Sequence, residues 1–453
     1  MRDADERMTR ACPPAITDIQ HHAEARPKRP TERPDGSQRD RKMPLKHGKN
    51  PLQRAIQDFV TSHLSPSVLS DHGIAQEALF SSLPKRFSIY EPMLLLSVNA
   101  FDTAPWGVVY RSLGAEQKEA LYATIARAFI RKGVTHVAIN APIALTDTQG
   151  QENRMRNPVG LIPLHGNFGP MPAGEGKLAQ PTKDDFEQAL WVRAVQNQGI
   201  VQIWSPLYTM FSRGNVTEKA RILGSEGTFE GLDEPSLGGV EVGEIAVVDM
   251  YAGIGYFVFS YLRRGVKRVW GWELNAWSVE GLRRGCIANG WGCKVVRVQA
   301  EGTLSVSLPE LADDLRDTDR VVVFHGDNKY AGAVMTEMRE LLENRQSWNS
   351  IRHVNLGLLP SSEDAWDNAC KMIDIEKGGW IHVHENVDLR HVDKKKEEVT
   401  MEIARLRSQA TGLRLVVGST AICRHVEHVK TYAPGIMHCV FDIEILPHKS
   451  SNQ

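Results

Sequence analysis

From Ile245 onward the chain alternates short apolar runs with amphipathic stretches, at a spacing that few folds can use. "IAVVDM" (245–250) reads as a buried strand and "YFVFSYLRR" (256–264) as a helix stopped by Gly265. "KRVWGWE" (267–273) reads as a second strand and "AWSVEGLRRGCIAN" (276–289) as a second helix, stopped by Gly290. Such alternation requires right-handed crossovers, and these build a parallel sheet with helices on both faces. Further strands are expected at "RVVVFHGD" (320–327), "HVNLGLL" (353–359) and "GWIHVHEN" (379–386), with helices at "SSEDAWDNACKMI" (361–373) and "KKKEEVTMEIARLRSQ" (394–409). "HVEHVKTYAPGIMHCVFDIEIL" (425–446) predicts two antiparallel strands around the "YAPG" turn.

Upstream the pattern is globular but less regular. A helix is expected over "PLQRAIQDFVTSHL" (51–64), an apolar run over "PMLLLSVNAF" (92–101), a helix over 115–133 and a strand at "THVAIN" (135–140). Residues 51–240 are therefore read as one or two smaller α/β regions, closed by the glycine- and acid-rich stretch 224–244 as a linker. Residues 241–450 form the regular domain. Residues 1–50 carry 12 Lys and Arg against 8 Asp and Glu, with many prolines and few large apolar side chains. A segment of that composition buries too little surface to offset its ordering entropy, so a disordered basic tail is expected.

Composition narrows the function classes. The net charge of −1 argues for no partner, although local patches rather than net charge bind phosphate. No run reaches the roughly 18 consecutive apolar residues of a spanning helix, so no membrane association is expected. The six cysteines show no CxxC pair, which argues against a structural zinc site and fits reduced thiols in a cytoplasmic protein. The histidines, among them His165, His382, His384, His425 and His428, form no metal-ligand pattern on any one helix and read as ordinary polar residues.

The candidate site gathers at the ends of the expected strands. Asp249 ends the first, Gly253 and Gly255 make the turn, and Tyr256 opens the helix, so backbone N–H groups face a ligand at close approach. Glu273 ends the next strand, 18 residues after Gly255, where an acid accepts hydrogen bonds from a ribose diol. Such an acid suits NAD and S-adenosylmethionine alike. Phe257 and Val258 stand where a dinucleotide fingerprint wants a small residue, which favours S-adenosylmethionine. Asp327 and Asn328 in "FHGDN" lie at a later strand end, suited to an adenine amino group. Asn355 in "VNLGLLPSSE" is placed to present a polar group to a reacting base, and Ser361 and Ser362 read as helix caps.

These motifs resemble the tRNA wybutosine-synthesis aminocarboxypropyltransferases, relatives of the tRNA guanine-N1 methyltransferases. "DMYAGIGYF", "WELNAWSVEGLRR", "GDN", "HVNLGLLPSSE", "HVHENV" and "HVEHVKTYAPG" carry the resemblance, with "PLHGNFGP" and "SPLYTMFSRGNVTEKARI" upstream, over residues 85–445. The resemblance implies a class I methyltransferase (Rossmann-like) parallel sheet with a late antiparallel hairpin, preceded by smaller α/β N-terminal domains that help grip tRNA. It implies transfer of the α-amino-α-carboxypropyl group of S-adenosylmethionine to demethylwyosine in tRNA-Phe, without a metal. Carried over by residue, Ser212 and Lys219 contact the cofactor, Glu273 its ribose, and Asp327 and Asn328 its adenosine end. Two departures stand out. Ala276 occupies a position where the family often has proline, and residues 292–319 are read as a surface insertion. The alternatives are a tRNA guanine-N1 methyltransferase, a non-catalytic tRNA-binding protein and a nicotinamide oxidoreductase.

Overall fold

The computed structural model describes residues 50–140, 161–172, 180–211, 215–412 and 420–448. The tail expected to be disordered and Ser212 lie outside the described residues. Upstream, β1 (Phe87–Tyr90), β2 (Met93–Leu96), β3 (His136–Ile139) and β4 (Ile162–His165) form a mixed sheet in that order, with β2 and β3 parallel. Helix Pro51–His63, capped by the Asn50 side chain, inserts Leu52, Ile56, Phe59 and Val60 into a core shared with Leu121 and Ile125 of helix Ala115–Ala128. The hairpin of β5 (Val192–Val195) and β6 (Val201–Trp204) follows.

The regular region contributes β7 (Ala246–Asp249), β8 (Arg268–Glu273), β9 (Gly292–Arg297), β10 (Asp319–His325), β11 (Ile351–Leu356), β12 (Gly379–Asp388), β13 (Ala421–Ala433) and β14 (Ile436–Ile445). Among the described residues these form one sheet in the order β13-β14-β12-β11-β7-β8-β10-β9. The six strands from β12 to β9 run parallel, and β14 pairs antiparallel with both β12 and β13. β7 is buried on both faces, which is why its sequence is continuously apolar up to the acid. One face is covered by helices Leu308–Asp314, Ala331–Asn344, Trp366–Met372 and Val392–Thr411. The other carries Val258–Arg264, Ala276–Ala288 and the short helix Val216–Ile222.

Two expectations change. The stretch 224–244 is not a free linker: Phe229, Leu232 and Leu237 are buried against the sheet. Its glycines serve tight turns; Gly231, at φ +81°, has no room for a side chain, because a Cβ there would stand 2.4 Å from the Trp380 ring. Residues 292–319 are not a surface insertion. They supply the edge strand β9 and a helix whose Leu308, Leu311 and Ala312 are buried in the core, started by a capping box between Ser307 and Glu310. Packing also runs across position 240. The Asn289 side chain pairs with both backbone groups of Val201, and a Cβ on Gly281 would lie 2.7 Å from the carbonyl oxygen of Ile203. Only glycine lets helix Ala276–Ala288 lie this close to β6.

Candidate functional site

The chain leaves β7 for β8 on one side, while β11 returns on the other, so the strand order reverses between β7 and β11. Ligands of open α/β sheets bind outside the carboxyl ends of the strands at such a point. Asp249 and Asn355 are register partners across it. The Asp249 carboxylate accepts from the Tyr251 N–H at 3.2 Å and from Asn355 Nδ2 at 3.3 Å, both through Oδ1. Its Oδ2 and the Asn355 Oδ1 are buried without a hydrogen-bond partner. Burial pushes the Asp249 carboxyl up to about 7, against the lowering effect of its two donors. Two neighbouring buried acceptors without donors form a site for a donor-rich or cationic group.

The loop after β7 turns through Gly253 (φ +54°) and Gly255 (φ +88°), both in the left-handed region that favours glycine. The helix begins at Val258, two residues later than expected, because these two residues precede its first regular turn. Tyr256 is held across the loop by its hydroxyl, which donates to the Met210 carbonyl. Glu273 closes the loop from the side: its carboxylate accepts from Gly253 N–H and Asn275 N–H, each at 2.8 Å. Asn275 caps the following helix by accepting from Trp277 N–H at 2.9 Å, so the turn forms with Ala276 in place of proline.

At the end of β10, Asp327 accepts from the Lys329 N–H at 3.0 Å, and the Asn328 amide donates to the Met250 carbonyl at 2.8 Å. Asn328 thus braces the glycine loop as well as standing beside it. Ser361 accepts from the Glu363 N–H at 3.2 Å, as a cap should, and donates to Glu385 at 2.8 Å.

Lys219 reaches the loop from the upstream region. It is 4% exposed, donates to the Gln196 side chain, and its ammonium lies 5.8 Å from the Tyr256 ring centroid and 6.0 Å from that of Phe211. Burial lowers it to about 8, and among the described residues it forms no ion pair. Lys219, Gln196, Gln202, Tyr256 and Ser260 line one small cleft, and Gln202 donates to the Gly255 carbonyl at 3.4 Å. Gln196 and Gln202 carry no local motif; only the docking of the β5–β6 hairpin brings them here. The structure therefore gathers Asp249, Gly253, Gly255, Glu273, Asp327, Asn328 and Asn355 at the carboxyl ends of the strands, with Lys219 packed against Tyr256 on the far side of the glycine loop. Among the described residues, no cluster of His, Cys, Asp and Glu suits a metal ion, and no helix is long and apolar enough to cross a membrane.

A central parallel sheet with an antiparallel hairpin at one edge, a glycine loop and an acid at the end of the neighbouring strand define a Rossmann-like, nucleoside-binding α/β protein. The chain is 38% identical over 363 residues to tRNA wybutosine-synthesizing protein 2 of Schizosaccharomyces pombe, covering 80% of this chain and 73% of that one. It is 30% identical over 441 residues to the Saccharomyces cerevisiae protein of the same name, covering 89% and 82%. The chain belongs to the tRNA wybutosine-synthesizing protein 2 family. Among solved structures, P. horikoshii TYW2 in complex with MeSAdo aligns at 16% identity and a TM-score of 0.47, covering 87% of this chain and 99% of that one. No protein-family model matches the chain.

Proposed function

We propose that the chain transfers the α-amino-α-carboxypropyl group of S-adenosylmethionine to 4-demethylwyosine in tRNA-Phe, at the purine 3′ of the anticodon, in the cytoplasm. Membership of the wybutosine-synthesizing family is the observation that carries this reading. The cofactor supplies a sulfonium with three electrophilic carbons, and orientation decides which one meets the base.

The residues at the strand ends fit such a molecule. Asp249 Oδ2 and Asn355 Oδ1 lack donors that an ammonium provides, and a carboxylate there repays its own burial once a cation sits against it. Lys219 offers a positive charge to a carboxylate, and the resemblance gives Ser212 the neighbouring role. Glu273, at the end of β8 beside the glycine loop, stands where an acid meets a ribose diol. Asp327 and Asn328 suit the adenosine end, while Gly253 and Gly255 keep side chains out of the way. Asn355, held by Asp249, also orients the base. Residues 51–240 grip the tRNA backbone.

Chromatography of the small-molecule products tests this reading. Methylthioadenosine released in proportion to modified tRNA is the expected result. S-adenosylhomocysteine in its place would mean that the methyl group moves instead.

A further inference from the structure

The helix that carries Lys219 is only seven residues long, too short to hold itself in place. What holds it is a chain of buried polar groups. Arg221 donates to both oxygens of Glu218, one turn earlier, at 2.9 and 2.7 Å, and to Asp442 of β14 at 2.5 and 3.2 Å. It also donates to the Thr228 carbonyl at 2.9 Å, and its guanidinium lies 4.7 Å from the Phe229 ring centroid. Asp442 accepts from His382 Nδ1 at 2.6 Å, His382 Nε2 meets His353 Nδ1 at 2.9 Å, and His353 Nε2 donates to the Gly231 carbonyl at 2.7 Å.

The Gly231 carbonyl only accepts, so His353 Nε2 carries the hydrogen. Burial keeps His353 neutral, so its Nδ1 is an acceptor, and it faces His382 Nε2 at 2.9 Å. Burial alone would raise the Asp442 carboxyl, but the hydrogen bond from His382 and the Arg221 charge outweigh it and hold Asp442 well below the usual carboxylate range. Glu218, Arg221, His353, His382 and Asp442 are all buried. Buried ion pairs are weak sources of stability, since well-packed apolar residues often serve as well, but they fix one geometry and reject others. The chain joins the helix to three strands of the sheet and to the 228–231 segment.

We propose that this chain is a positioning device for the cofactor: Glu218, Arg221, Asp442, His382 and His353 hold Lys219 in register with the Gly253–Gly255 loop. The proposal rests on the reading that Lys219 meets the cofactor. The test is a double-mutant cycle on the full chain, with S-adenosylmethionine affinity measured by calorimetry. Arg221→Lys keeps the charge but loses the fork that binds two carboxylates at once. It is expected to weaken binding about fivefold, and far less in a Lys219→Ala background, because the two residues act through one contact. Should that variant not fold, the near-isosteric Asp442→Asn takes its place. Equal losses in both backgrounds would overturn the proposal, because the chain would then serve the fold in general. So would an unchanged affinity in Arg221→Lys while Lys219→Ala alone weakens binding. If Lys219→Ala itself leaves affinity unchanged, the placement of Lys219 at the cofactor fails first, and the positioning role fails with it.

Discussion

Asp249 and Lys219 are ionisable groups whose burial works against their charge, and the cofactor reading needs both charged. Asp249 ionises at about 7 and Lys219 loses its proton at about 8. The association constant for S-adenosylmethionine should therefore peak between these values, falling below pH 7 as Asp249 is neutralised and above pH 8 as Lys219 is. Calorimetry from pH 6 to 9 checks this, and a flat profile would remove both from the site. Asp249 also has a stability consequence. Its folded value lies above the unfolded one near 3.8, so the folded state binds more protons in that window and loses stability as pH rises through it, by up to about 4 kcal/mol. Asp249→Asn should raise the melting temperature of the ligand-free protein at pH 8, yet weaken cofactor binding. Glu273→Ala should weaken that binding about tenfold through lost ribose bonds and also lower stability, since two backbone N–H groups lose their acceptor. An unchanged affinity in that variant would displace Glu273 from the ribose.

At the scale of elements, the glycine loop and the close approach of β6 to helix Ala276–Ala288 are the most demanding packing features. A Cβ on Gly255 would lie 2.6 Å from the Phe259 ring at a φ that side chains rarely adopt, so Gly255→Ala should cost about 1–3 kcal/mol in a denaturant titration. Full stability in that variant would mean that the loop is not held as described. The inner strands β7, β8, β10, β11 and β12 were legible because burial leaves a nearly continuous apolar run, whereas the half-exposed edge strand β9 was not; the first two helices were legible because Gly265 and Gly290 follow them in the left-handed region. Asp249, Glu273 and Asn355 were legible for the same reason, as polar residues ending those runs. What sequence concealed depends on tertiary contact. The 224–244 stretch has a linker's composition, yet Phe229, Leu232 and Leu237 anchor it. His382 alternates along β12 like any strand residue, and only the pairing of β12 with β14 and β11 turns it into a partner of Asp442 and His353.

For the whole molecule, the upstream region and the regular sheet domain meet at one cleft: Lys219, Gln196 and Gln202 come from the former, Tyr256 and Ser260 from the latter. Cofactor binding and the placement of tRNA are therefore expected to depend on the same packing. Affinity for tRNA should fall as salt is added, because a backbone grip releases counterions, and a salt-independent affinity would argue against that grip. The central claim is tested most directly by incubating the protein with S-adenosylmethionine and tRNA-Phe bearing 4-demethylwyosine, then weighing the digested nucleoside by mass spectrometry. A gain equal to one aminocarboxypropyl group is the expected result; a gain of one methyl group, or none at all from a protein that binds the cofactor, would contradict it.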